Sequence, residues 1–350
     1  MKNKKTKKGN GTRGVLIFLS IFLGIILTVL LGGTIYANHL IGLMENVEKV
    51  EETLSQEQLD DLLSDETVAP DDTTPVINEE DIDWGNTDET VPPIEKSDNV
   101  INFLLIGQDA RSTNGRARSD SMILVTVNKD KKTITLTSLL RDLYVRIPGY
   151  LDNKLNSAYA AGGMELLNET LELNFGVQVD GNVEVNFERF PEVIDLLGGV
   201  DMELRQDEAN YINKWVPEGP LLSKGLMHLN GQQALMYSRI RALDADADFS
   251  RTNRQRKVID ALIDQFRNTK LTTLLGLLDD VLPMLATDMT NAEIIGYATE
   301  LFPMLSGCEV ISQRVPADGE YYLAMIREMS CIVADMDAAR ELLRQTMSEE

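Results

Sequence analysis

The chain has 350 residues, a formal net charge of −23, two cysteines and two histidines. That length suits one large domain with appendages. The acidic balance argues against nucleic acid as a partner, because such binders carry a basic face, and the lack of a CxxC or Cys/His cluster argues against structural zinc.

Residues 1–14 carry Lys2, Lys4, Lys5, Lys7, Lys8 and Arg13 without a single acid, and an apolar run follows over 15–37. At ~1.5 Å per residue such a run reaches across a hydrocarbon core of ~30 Å. Basic flanks stay on the cytoplasmic side, which predicts a single-pass membrane protein whose remainder lies outside the cell. Across 38–98 a short heptad seam (Leu40, Leu43, Val47, Val50, Leu54) precedes an acidic stretch with Pro70, Pro75, Pro92 and Pro93. The expectation there is a helical stalk and then a disordered linker. Outside the cell, Cys308 and Cys331 either pair as a disulfide or stay as two unrelated thiols.

The folded domain is expected over 99–350. Val100–Ile106 reads as a buried strand, and Ser121–Val127 and Thr133–Ser138 as a hairpin. Helical patterns cover 156–161, 163–173, 190–197, 229–238, 251–266, 271–285, 291–302 and 335–347, with strands at 182–187 and 309–313. Strands interleaved with helices predict an α/β layered domain with a mixed sheet.

Three clusters carry chemistry. The first is Gly107-Gln-Asp-Ala-Arg111 with Arg116-Ala-Arg-Ser-Asp120. Asp109, Arg111, Arg118 and Asp120 are thereby placed at a strand's C-terminal edge, where open α/β sheets bind ligands. Paired carboxylates suit Mg²⁺ while arginines suit phosphate oxygens, although a charged surface loop would look the same. The second cluster is Arg141-Asp142 followed by Lys154-Leu-Asn-Ser-Ala-Tyr159, a cation beside a helix start. The third is Arg239-Ile-Arg241 with Asp248-Phe-Ser-Arg-Thr-Asn-Arg-Gln-Arg256. Arg251 and Gln255 are four apart on a predicted helix and share one face. Cations at a helix start oppose the macrodipole, a conflict that an anionic ligand removes. Against these, only His39 and His228 are available for a Ser-His-Asp triad, and neither a Gly-x-Ser-x-Gly nor a Walker run occurs. Metal-assisted phosphoryl transfer is the chemistry favoured.

These clusters, in this order behind one membrane anchor, resemble the LytR-CpsA-Psr family of Gram-positive bacteria over about residues 100–265. The matching stretches include Asn102–Arg111, Arg118–Met122, Arg141–Pro148, Lys154–Tyr159, Gly198–Val200, Leu229–Leu235, Arg239–Arg241 and Asp248–Gln255. Leu140, Ser157 and Ser250 depart from the usual pattern without removing a charged residue. The resemblance implies a three-layer α/β/α domain with a central mixed sheet and a long apolar cleft for a polyprenyl chain. It implies transfer of a glycopolymer from an undecaprenyl-pyrophosphate carrier onto peptidoglycan, as a phosphodiester to a muramic acid hydroxyl. By analogy Asp109 and Asp120 hold Mg²⁺ (or Mn²⁺), and Asp109 is also the expected base. Arg118, Arg141, Arg239, Arg241 and Arg251 grip the pyrophosphate, while Arg111, Lys154, Asp248 and Gln255 support it. The segments 158–173 and 190–197 are expected to line the cleft. A lipid-phosphate binding module, a pyrophosphate hydrolase and a regulator are the competing functions.

Overall fold

The computed structural model describes residues 42, 45–46, 53–63, 74–85, 91–108, 119–186, 189–244, 247–268, 280, 282–301 and 307–348. Among them no helix is long and apolar enough to cross a membrane; the expected span 15–37 lies outside them.

In chain order the elements are β1 (Glu45–Asn46), α1 (Gln56–Leu63), β2 (Val100–Gln108), β3 (Ser119–Asn128), β4 (Thr133–Leu139), β5 (Tyr144–Val145), β6 (Asn153–Lys154) and α2 (Leu155–Phe175). There follow β7 (Gly181–Asn186), α3 (Phe190–Leu196), β8 (Val200–Leu204), α4 (Gln206–Trp215), β9 (Gly225–Leu229), α5 (Gly231–Ser238) and α6 (Ala247–Asn268). The last are β10 (Leu285–Thr287), α7 (Asn291–Leu301), β11 (Glu309–Val315), β12 (Tyr321–Ile326), β13 (Met329–Ala334) and α8 (Met336–Met347).

A seven-stranded sheet runs β1-β10-β7-β2-β3-β4-β11. It is mixed: β2 pairs with β7 and β4 with β11 in parallel, while β2–β3 and β3–β4 are antiparallel. The central strands are apolar on both faces because helices cover both. On one face Leu104, Ile106, Met122 and Leu124 pack against α2 and α8. On the other Ile123, Val127, Ile134 and Leu136 meet Ile259 of α6 and Leu301 of α7. A smaller core joins α3, α4, α5 and the β8–β9 ribbon to α6 around Tyr237 and Val258.

Helix α2 is read from sequence as two helices, and it bends where they would meet. Gly162 and Gly163 leave helical geometry, the latter at φ 63. Its far end stops at Gly176 in the left-handed region, φ 70, a conformation glycine adopts without strain. Ribbon β8–β9, helix α4 and the β12–β13 hairpin are additions to the sequence reading. Residues 282–285, expected to end a helix, form a 3₁₀ turn and the start of strand β10 instead.

Two corrections concern the segment expected to be stalk and linker. Leu59 of α1 is fully buried in the main core against α2, so this helix belongs to the domain. Residues 74–85 pack on the β12–β13 hairpin: Ile77 N donates to Met325 O at 3.0 Å and Met325 N to Pro75 O at 2.8 Å. Ile82 is buried, and Trp84 stacks on Tyr144 with its centroid 6.1 Å away. Composition misses this because a few apolar anchors in an acidic stretch suffice once a hairpin edge supplies backbone partners. Cys308 sits beside β3 and β4 and Cys331 in the β12–β13 cluster, so no disulfide joins them.

Candidate anion-binding site

Strands β2, β4, β7 and β11 share a direction, so their C-terminal ends form one rim, and β3 starts there. The register slips at that point: Gly107 faces Ser121 and Gln108 faces Ser119. Asp120 is therefore the extra residue of a β-bulge, a device that re-aims a strand locally at a sheet's end. Gln108, opposite the bulge, donates to the buried carboxylate of Glu184, which also receives the Tyr159 hydroxyl. Asp109, Arg111 and Arg118 lie outside the described residues, as do the side chains of Asp120 and Asp248.

Beyond β4 the chain turns tightly at Leu140–Leu143. The turn is tied to the start of α2 by Leu155 N to Leu143 O at 2.8 Å and Asn156 N to Arg141 O at 3.1 Å. Asp142 bridges two cations: Arg141 Nε lies 3.3 Å from its Oδ2 and the buried Lys154 Nζ 3.3 Å from its Oδ1. A carboxylate between two cations holds both in place while leaving a net positive charge. At the start of α2, next to this turn, are buried polar atoms without protein partners, namely the side-chain oxygen and nitrogen of Asn156 and the hydroxyl of Ser157. Orphans of this kind ask for water or a ligand.

Helix α6 approaches from the other face. Its Asp260 Oδ2 accepts from Ser312 Oγ of β11 at 2.9 Å, and its earlier turns run back toward the rim. The N-termini of α2 and α6 thus converge on one edge from opposite faces, and both bring positive dipole ends to it. Arg251 and Gln255 of α6 are buried. Arg239 caps α5 in helical geometry, φ −103, ψ −1, rather than in the extended conformation that its spacing from Arg241 invites. Ile240 between them is fully buried, and Arg241 is exposed.

Arg254, in the same stretch, plays a different part. It is buried and donates from Nε to Glu208 Oε1 at 2.9 Å, from Nη1 to Ile240 O at 3.1 Å, and from Nη2 to Asp244. Arg205 adds a 2.8 Å pair to Asp244. The network ties α6 to α4 and to the loop that carries Arg239 and Arg241. Burial raises the Asp244 carboxyl, but Arg205 and Arg254 outweigh it and hold it below the usual range.

Between the sheet and helices α3 and α6 lies an apolar cavity of about 200 Å³. Leu105, Ile123, Val183 and Val185 form its floor, and Phe190, Val193, Val258 and Leu262 its roof. Its polar lining is Ser121, Ser238 and Gln255; Ser238 directly precedes Arg239, and Gln255 lies one turn beyond Arg251 on α6. Segment 190–197 therefore lines an apolar slot, as expected of it. Segment 158–173 does not: α2 lies across the sheet, buried in the main core against α8. Its apolar residues serve packing because the helix is covered nearly all round. Among the described residues no group of three or more His, Cys, Asp or Glu is placed to hold a metal ion.

Sequence reasoning overlooked Glu184, Ser138 and the role of Asp142. Each is a polar residue inside or next to an apolar strand or turn, and that contrast was the available signal.

A sequence profile of the LytR_cpsA_psr family matches residues 64–339. The polyisoprenyl-teichoic acid–peptidoglycan teichoic acid transferase TagT of Bacillus subtilis (strain 168) is 35% identical over 216 residues, 60% of this chain and 66% of that protein. The chain thus spans slightly under two thirds of the length of the curated relatives that it matches first. A solved structure of TagT bound to LIIa-WTA aligns at a TM-score of 0.61 with 29% identity, covering 75% of this chain and 96% of that one. YwtF (TagT) with bound octaprenyl pyrophosphate lipid aligns at 0.56 with 26% identity, covering 75% and 97%. With that profile matching most of its length, the chain belongs to the LytR-CpsA-Psr family.

Proposed function

We propose that this chain transfers a phosphate-linked glycopolymer from a polyprenyl-pyrophosphate carrier to a peptidoglycan hydroxyl. The observation that carries this reading is the apolar slot whose polar lining is Ser121, Ser238 and Gln255, the last two respectively next to Arg239 in the chain and one turn from Arg251 on α6. Such a slot suits a prenyl tail with its pyrophosphate at the rim. Relatives described with a bound polyprenyl pyrophosphate and with wall teichoic acid precursors support it.

The chemistry is a displacement at phosphorus. The acceptor hydroxyl oxygen attacks the phosphorus bearing the glycopolymer, and a new P–O bond forms. The bridging P–O bond breaks, polyprenyl phosphate leaves with the electron pair, and the hydroxyl proton passes to a carboxylate, assigned here to Asp109. Charge builds on the leaving phosphate, and cations fixed in advance stabilise it without solvent reorganisation. Asp142 fixes Arg141 and Lys154; the Arg254 network fixes the loop of Arg239 and Arg241. Arg118, Arg111, Arg251, Asp248 and Gln255 complete the proposed grip.

Mg²⁺ (or Mn²⁺) fits this reading through Asp109 and Asp120. The bulge sets the Asp120 backbone opposite the end of β2, one residue from Asp109, and Asp142 is already engaged by two cations. A bound ion there supplies Lewis-acid charge to phosphate oxygens. The reading includes the anchor at 15–37, with residues 1–14 cytoplasmic and the domain outside.

The test is product analysis with the full chain in detergent, lipid-linked donor and acceptor glycan. Asp109→Ala is expected to lose transfer while donor binding persists. Binding without transfer by the unaltered chain would leave a binding module, and release of polymer into water instead of acceptor would make it a hydrolase.

A further inference from the structure

The face of β4 that carries Ile134 and Leu136 packs toward α6. Strand alternation places Ser138 on the same face, and its register partner on β11 is Arg314. Arg256 reaches this corner from α6, one turn nearer the rim than Asp260. It is only 7% exposed. Its Nε and Nη1 are buried without a hydrogen-bond partner, and so is Ser138 Oγ. Burial, and then the charge of Arg314, push the Arg256 guanidinium down to about 10, so it is still a cation at neutral pH.

A buried cation with unsatisfied donors is strongly unfavourable unless something pairs with it. The charge of Asp260, one turn further along α6, acts favourably on Arg256, yet Nε and Nη1 of the guanidinium stay without a hydrogen bond. Asp260 accepts from Ser312, and Asp318, with a side chain 93% exposed, pairs with Arg314. A second guanidinium beside the first sharpens the need for an anion.

We propose that Arg256, Arg314 and Ser138 form a second anion subsite, on the β11 side of the rim, that takes a phosphate oxyanion. Guanidinium and hydroxyl donors match phosphate oxygens. The ligand enters along Arg314 and displaces the exposed Asp318 carboxylate. Its source is either a phosphodiester of the glycopolymer or free inorganic phosphate; only the first rests on the function proposed above.

The experiment titrates inorganic phosphate calorimetrically into the full chain in detergent, first saturated with glycan-free polyprenyl pyrophosphate. The unaltered chain is expected to bind phosphate, and Arg256→Met to bind it about tenfold more weakly or worse. Phosphate affinity unchanged in Arg256→Met, or an unaltered chain that takes up no phosphate, would each overturn the subsite. Should Arg256→Met not fold, Ser138→Ala replaces it; a several-fold loss of phosphate affinity supports the subsite and no loss overturns it. Two donors separate the sources. A raised KM in Arg256→Met for a phosphodiester polymer, but not for an uncharged glycan, assigns the subsite to the polymer. No change for either donor, with the phosphate titration lost, assigns it to free phosphate. Absence of transfer by the unaltered chain would remove the proposed function and leave the titration standing.

Discussion

Asp142 shows how one side chain sets the electrostatics of a site without touching a substrate. Its two oxygens each face a cation at 3.3 Å, Arg141 on one side and Lys154 on the other. Lys154 is buried, so its ammonium depends on this carboxylate as a counter-charge. Asp142→Asn is therefore expected to lower kcat for transfer by about tenfold or more, while the fold persists, because placement of the cations is lost. A steady-state comparison at neutral pH checks this; an unchanged kcat would remove Asp142 from the positioning machinery. Glu184 is a parallel case at the end of β2, where it secures Gln108 next to the proposed metal carboxylates.

At the scale of elements, helix α6 does two jobs with neighbouring residues. Gln255, one turn from the buried Arg251, lines the slot, while Arg254 turns to Glu208 and Asp244. Removing one partner of a buried ion pair typically destabilises by about 3–5 kcal/mol, the loss expected for Arg254→Met in urea unfolding. The pH dependence has a definite sign. Asp244 has a folded pKa below its ordinary value of 3.8. Its contribution is present above that value and is lost as pH falls through the folded one. The unaltered chain should thus lose stability below about pH 4 that Arg254→Met has already lost, which makes the mutant's acid limb shallower. Helix α3 offers a second test. It closes onto α5 so tightly that a Cβ on Gly231 would stand 1.9 Å from Pro191 O, which keeps the slot's roof in place. Val193 lines the slot from that roof. Val193→Trp fills the cavity and is expected to raise the KM for long-chain donors about tenfold, with a smaller effect on short-chain donors; equal effects on both would deny the slot a role in holding the tail.

At the scale of the whole molecule, the charge of −23 and the basic rim are compatible because they occupy different places. The net charge repels anionic partners in general, and the rim attracts them at one edge. The N-terminal run predicts that the full chain sediments with membranes and resists a high-salt wash. Release into the soluble fraction by salt alone would contradict the anchor.

The sequence by itself determined a great deal. The apolar strands at 100–106 and 121–138, the hairpin between the latter two, and the helix around Arg251 and Gln255 were legible because each follows a local period or turn rule. The family was legible because its charged motifs are contiguous. Only the tertiary structure decided what those charges do. Arg254 and Arg256 read alike in sequence, yet one makes a buried ion pair and the other meets Arg314 at the β4–β11 corner. Helix phase around 100° per residue separates them, and the role of each follows from what long-range packing sets opposite. The same holds for residues 74–85, whose acidic composition suggests disorder until a hairpin about 250 residues later in the chain supplies their backbone partners.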